Sequence, residues 1–452
     1  MRADSYTPQS GDPRIEVDHY ALTLDYKVST NRLSGTATIR GRVVAATKVL
    51  AFDLFGLRAT KVTTAGVRVP GFHQSDRKLR ITLPAPLAPG GGFEITVAYA
   101  GAPRPRRSRW GTIGWEELDD GALVAAQPTG APTWFPCNDI PSDKATYHVS
   151  VTTDRAYTVV ASGVRSEFTT RGGKSTWVFD QASPTPTYLM TVHIGHYVEE
   201  ALALGAAVGR LYYPARLADR VHADFADLPR MFSCFEELFG PYPLPEYAVV
   251  VTDDELEIPL EAQGIAVFGA NHVAGAGTYE RLVAHELAHQ WFGNCVGVAR
   301  WKDIWLNEGF ACYAEWLWSE YAGGLTAHEN ALAHNARLAA LPQDLVLSDP
   351  GPDLMFDDRV YKRGALTLHA LRLAVGDQPF FALLRTWIKT YGSSTATTAD
   401  FVTLAVDAFG KSAAGLLNAW LERPRLPDLP SAGGERSIRR LATPRPDERP
   451  PR

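Results

Sequence analysis

His285 and His289 stand four residues apart in the run L-V-A-H-E-L-A-H-Q-W-F. At helical pitch that spacing puts both imidazoles on one face, a turn apart, where they can grip the same ion. Glu286 follows the first histidine and projects about 100° further around the helix. It points beside such an ion rather than at it, which suits a carboxylate that takes a proton from an attacking water. Glu308 lies nineteen residues after His289 and opens a second apolar helical run, W-L-N-E-G-F-A-C-Y-A. Two histidines and one glutamate leave a fourth position open, as catalytic zinc requires; a structural site would close with a fourth protein ligand. An amphipathic helix with half-buried histidines would account for the first run alone, but not for the second at this distance. The other His–Glu pair, His328–Glu329, is followed by a histidine only at 334, a spacing that does not stack on one face.

The elements that must position these residues follow from composition and periodicity. A chain of 452 residues is too long for one ordinary core and implies roughly two or three domains. The apolar share of 45% and charged share of 21% are those of a globular protein. A net charge of −5 indicates neither a nucleic-acid nor an anionic-membrane partner. Cys137, Cys234, Cys295 and Cys312 are scattered without a C-x-x-C pair, which favours reduced thiols over a disulfide framework. The start M-R-A-D-S-Y-T-P-Q-S-G-D-P has no apolar core of a signal peptide, and no run of roughly eighteen apolar residues follows. The expected location is cytoplasmic, with no membrane span.

From Ile15 to about Tyr197 the period is two, as in Tyr20-Leu22-Leu24-Tyr26 and Phe93-Ile95-Val97-Tyr99, with turn clusters such as L-A-P-G-G-G between. Many short strands without helical spacers predict an antiparallel sandwich or saddle. From about 217 the period becomes 3.6. Leu228, Met231, Phe232 and Phe235 share a face ahead of G-P-Y-P, and strands are expected at Tyr247–Thr252 and, edge-like, at Ile265–Phe268. Helices are expected near 278–293, 304–321, 325–340, 360–375, 378–391 and 398–409. The expected organisation is a flexible start at 1–14, an N-terminal β domain at 15–205, an α+β, mostly helical unit at 206–428, and a disordered tail at 429–452.

The runs H-E-L-A-H-Q-W-F-G-N and L-N-E-G-F-A, with W-F-P-C-N-D-I-P-S-D-K-A-T-Y (134–147), G-P-Y-P-L-P-E-Y (240–247) and V-Y-K-R-G-A (360–365), resemble in order the signatures of the aminopeptidase N and leukotriene hydrolase family of zinc aminopeptidases. The resemblance implies a thermolysin-like catalytic domain and one Zn2+ held by His285, His289 and Glu308. It implies Glu286 as general base and Tyr361 as the hydroxyl facing the developing oxyanion. Glu261 matches the glutamate of the family's exopeptidase motif, which binds the substrate's free α-ammonium, although Ile258, Pro259, Leu260 and Ala262 replace the usual neighbours. The acidic run also offers Glu257; the following G-I-A-V-F favours Glu261. Gln127 matches a residue that helps hold the amine. Gly264 opens the matching edge strand, along which a peptide would lie by β-addition. Asn307 and Asp303 are candidates for helix capping and support of Glu308. Larger members carry a further helical domain that no part of this sequence matches. The implied partners are peptides with a free N-terminus, without nucleic acid; no pattern bears on oligomeric state. A zinc endopeptidase, a leukotriene-type epoxide hydrolase and a degenerate binding module stay open as alternatives.

Overall fold

The computed structural model describes residues 3–430, so the expected tail beyond Pro430 lies outside the described residues. Strand Ile15–Lys27 buries Tyr20, Leu22, Leu24 and Tyr26 on its inner face, as its alternation dictates. It pairs antiparallel with Arg32–Val43 and, on its other side, parallel with Lys144–Asp154. These three lie within an eight-stranded sheet; a five-stranded and a three-stranded sheet complete the N-terminal β domain. The run from Trp134 to Cys137 is buried in its core, where Phe135 meets the stacked pair Tyr20–Tyr147 edge-on.

Two expected boundaries shift. Strands Val198–Leu204 and Ala207–Tyr213 pair with each other, and the second continues in parallel to Glu246–Val251. Both therefore belong to the catalytic unit's sheet, and the β domain ends after Gly195 rather than at 205. Residues 4–12, expected to be flexible, are tied down on both sides. The Gly11 and Asp12 N–H groups donate to Asp53 and Asn138 in the β domain. Asp4 accepts from the Trp301 N–H at 2.8 Å, and the Tyr6 hydroxyl donates to Asp349, both in the catalytic unit. Half-buried Lys144 adds a second tie, donating to the Asn294 and Cys295 carbonyls at 2.9 Å each.

The catalytic unit opens with a five-stranded sheet in which Ile265–Phe268 is flanked on both sides. The edge strand is instead Leu260–Ala262, antiparallel to it across a tight turn. Helices follow at Glu280–Ala288, Trp305–Ala322, Ala327–Ala339, Asp358–Val375, Asp377–Tyr391, Thr398–Phe409 and Lys411–Glu422. Among the described residues, no helix is long and apolar enough to cross a membrane.

Two glycines set the helix packing on which the site depends. Gly309, beside Glu308, faces Gly364, three residues after Tyr361. A Cβ on either would lie 2.6–2.7 Å from the other's backbone. Helices Trp305–Ala322 and Asp358–Val375 thus cross in backbone contact, which draws Glu308 and Tyr361 to one locus. Arg363 anchors the second of these helices from behind, donating to the carbonyls of Leu345, Trp420, Arg423 and Pro424.

Candidate metal centre

The helix Glu280–Ala288 carries His285 and Glu286 and ends sooner than the apolar pattern predicts. Beyond Ala288 the backbone tightens: Gln290 and Trp291 donate to Leu287 and Ala288, three residues back. Gly293 then adopts φ +115, and a Cβ there would press on His289 Nδ1 and on Asn307 at 3.2 Å. The tightened turn leaves the Phe292 carbonyl free to accept from His289 Nδ1 at 3.1 Å. That contact fixes the tautomer and turns Nε2 towards Glu308.

The three expected ligands converge. Both His285 Nε2 and His289 Nε2 lie 3.5 Å from Glu308 Oε2, and the imidazole centroids are 4.7 Å apart. A tetrahedral ion with bonds of about 2.1 Å needs ligand atoms roughly 3.4 Å apart, so this donor set fits zinc. All three side chains are buried. Burial works against charge on His285, but Glu308 and Glu315 at its two ring nitrogens override it and raise its pKa to about 10. Burial likewise raises Glu308, and the two imidazoles outweigh it and hold the carboxylate below its usual range. A divalent cation balances such a set, since two neutral imidazoles and a carboxylate leave one positive charge.

Glu286 is 4% exposed, and its Oε2 has no hydrogen-bond partner. Burial pushes its pKa up, and Glu261 and Glu308 add to the rise against the pull of the imidazoles. A raised carboxyl beside the ligands, with a free oxygen, is what proton transfer there requires. The Tyr361 ring lies 6.0 Å from that of His285 at 21°. Burial and the carboxylates Glu308, Glu261 and Glu286 keep this phenol protonated far above its usual range.

Glu261 also reaches the site: a carboxylate oxygen of it lies with Glu286 and His289 in a set whose ligand atoms are all within 4.8 Å of one another. The strand that carries it is fastened to the metal helix. Gln290 Nε2 and Asn294 Nδ2 both donate to the Ala262 carbonyl, at 3.2 and 2.9 Å. In the register Ala262↔Ile265, Glu261↔Ala266, Glu261 is the non-hydrogen-bonded position, so its backbone groups face the open edge of the sheet. Gly264 does not have that freedom. It sits in the turn at φ +74, its N–H donates to Gln290 Oε1 at 2.8 Å, and its carbonyl accepts from Ala248. Both of its backbone groups are thus engaged within the fold. Gln127 follows the strand Gly121–Ala125 in the β domain and is half-buried, with Nε2 enclosed and unpartnered. Asp303 supports a different helix from the one expected: it accepts from Thr398 N–H and Oγ1 at 3.0 and 2.8 Å.

Sequence reasoning overlooked Glu315. It lies seven residues after Glu308, two turns along the same helix face. Its Oε1 accepts from His285 Nδ1 at 2.7 Å, and Arg281 and Lys362 flank it at 3.0 and 3.8 Å. Against burial, His285 and these cations hold Glu315 ionised, with a pKa of about 2. Glu315 therefore fixes the proton on Nδ1 and frees Nε2 for the ion. Cys312, near the same cluster, accepts from Lys362 at 3.2 Å, and all four cysteines are buried and free.

Comparison with known proteins places these residues in context. The Peptidase family M1 domain model matches residues 224–420, and the Peptidase M1 N-terminal domain model matches residues 16–189. A solved M1 zinc metallopeptidase from Deinococcus radiodurans superposes with a TM-score of 0.88 at 34% identity, covering 95% of this chain and 99% of that one. A mutant of that protein bound to a Tyr-Ser-Ala substrate superposes equally well. Among curated proteins, "Probable aminopeptidase 2" of Sulfurisphaera tokodaii is 26% identical over 91% of this chain. "Leucyl aminopeptidase" of Saccharolobus solfataricus is 24% identical over the same share. The chain spans about half the length of these two curated relatives, 54% of each.

Proposed function

Because the chain belongs to peptidase family M1, we propose that it is a zinc-dependent aminopeptidase that removes the first residue of peptides with a free N-terminus. The observation that carries the reading is Glu261: a carboxylate at the open edge of a strand, within ligand distance of His289 and Glu286. His285, His289 and Glu308 would hold the zinc ion, which would supply Lewis acidity for carbonyl polarisation and for lowering the pKa of the attacking water.

The chain's own groups do the rest. The peptide lies antiparallel along Leu260–Ala262, its backbone meeting the outward groups of Glu261. The Glu261 carboxylate accepts from the substrate ammonium and stops the chain there, so that the first peptide bond is the one presented. Gln127 is assigned to the same amine on its match to the family residue that helps hold it. Glu286 takes the proton of the attacking water at Oε2 and passes it to the leaving amine. The Tyr361 hydroxyl donates to the oxyanion as charge develops. Four cysteines, all buried and unpaired, support a cytoplasmic setting.

Initial rates on one peptide with a free and with an acetylated N-terminus test this reading. Acetylation removes the cation and leaves the half-buried Glu261 carboxylate without its partner, so kcat/KM falls by roughly 10²-fold or more. Equal rates on the two substrates would favour an endopeptidase on the same scaffold.

A further inference from the structure

The sheet of the catalytic unit ends at Leu260–Ala262, the strand that carries Glu261. The two-residue turn Gln263–Gly264 closes its pairing with Ile265–Phe268. Leu260 and Ala262 therefore turn their backbone groups to that neighbour, and those of Glu261 face outwards. In an extended chain the outward positions recur at every second residue. The next one back from Glu261 is Pro259. It has a carbonyl but no N–H, so the outer edge offers a donor and an acceptor at 261 and an acceptor alone at 259. Contacts at both ends hold this arrangement still. The Leu256 N–H donates to Asn271 Oδ1 at 3.0 Å, and Asn271 Nδ2 donates to the Leu256 carbonyl at 2.9 Å. At the other end Leu260 pairs with Val267, and the Gln263 N–H donates to the Leu189 carbonyl of the β domain at 3.0 Å. Only 257–259 span the interval between Leu256 and Leu260. Pro259 is buried, and the chain bends at Glu257 and Ile258, the latter 64% exposed. The bend takes the backbone out of the extended line just before Pro259, so the edge ends there.

A proline at a sheet edge blunts it against a further strand. For a peptide laid on that edge, the same physics limits how much of its backbone is gripped. We propose that Pro259 sets the reach of substrate recognition: the edge grips the backbone at the first residue and offers no donor to the carbonyl of the third. The substrates are then short peptides, whose turnover gains nothing from residues beyond the second. The inference rests on the antiparallel lay of the peptide along Leu260–Ala262 proposed above. With the first residue opposite Glu261, the third lies opposite Pro259. Its N–H can donate to the Pro259 carbonyl, but its own carbonyl meets no N–H.

Initial rates of wild type and Pro259→Ala on leucyl-alanine amide, and on the same amide lengthened by one and by two alanines, test the proposal. The dipeptide amide already supplies the N–H for the Pro259 carbonyl, and the first added alanine supplies the carbonyl that lacks a donor. In wild type the three values of kcat/KM agree within about twofold. Pro259→Ala restores the N–H, so the ratio of tripeptide amide to dipeptide amide rises about three- to tenfold, the worth of one backbone hydrogen bond. A wild-type gain of more than about twofold from the third residue overturns the proposal, as does a folded Pro259→Ala whose ratio stays at the wild-type value. The wild-type series decides by itself where the variant does not fold. The ratio for free and acetylated peptides judges the aminopeptidase reading separately. If that ratio is near one and Pro259→Ala still favours the longer amide, the reach of the edge stands and the amine reading falls. If acetylation abolishes cleavage and Pro259→Ala changes nothing, the amine reading stands and the role of Pro259 falls.

Discussion

Glu286→Gln retains zinc and loses turnover. The substitution keeps the shape of the side chain and removes its ability to accept a proton. Positioned general bases contribute roughly 10²–10⁴-fold, and kcat should fall by at least that range with KM changed little. Zinc content is preserved because the converging set is His285, His289 and Glu308, with Glu286 about 100° away around its helix. The same measurement separates two placements of the ion, since Glu261, Glu286 and His289 also bring ligand atoms within 4.8 Å of one another. An ion in that second set would leave with Glu286. Zinc loss, or near-full activity in Glu286→Gln, contradicts the assignment of Glu286 as proton acceptor outside the ligand set.

His289→Ala, by contrast, loses the metal and the activity together. One of three ligands disappears, and Glu308, whose side chain is 3% exposed, loses a partner 3.5 Å away. With the ion and this partner gone, the buried Glu308 carboxylate is left undercompensated, which costs about 3–5 kcal/mol, so the thermal midpoint falls as well. Without the Lewis acid the reaction forfeits several kcal/mol of transition-state stabilisation, on the order of 10³-fold or more in kcat/KM. Metal analysis and rates on the purified variant check both parts. A variant that binds zinc as wild type does would remove His289 from the centre.

The parts of the site that were legible in the sequence are those whose spacing lies within one element. His285, Glu286 and His289 follow from helical pitch, and Glu308 from the apolar run that it opens. Gly309 and Gly364 were visible in the motifs, but their meaning appears only when the two helices cross. Glu315 obeys the same helical arithmetic as Glu308, yet a glutamate two turns on has no reading until the ring nitrogen that it faces is known. Contacts between distant segments left no periodic trace: Asp4 with Trp301, Lys144 with the turn after the metal helix, and Gln263 with Leu189. The domain boundary was misplaced for a related reason. Strands on both sides of residue 205 keep the two-residue alternation of the β domain, and only pairing assigns them to the other sheet. Gly264 was placed at the substrate by its position in a motif, whereas the turn it occupies uses both its backbone groups. The substrate edge belongs to Leu260–Ala262, a strand too short to show alternation of its own.

Anomalous diffraction from crystals of the wild-type protein, recorded on either side of the zinc absorption edge, addresses the central claim most directly. The account predicts one zinc peak, within bonding distance of His285 Nε2, His289 Nε2 and a Glu308 carboxylate oxygen, with Glu286 outside the coordination sphere. A peak bounded by Glu261, Glu286 and His289, or an active crystal form with no zinc at this place, would contradict it.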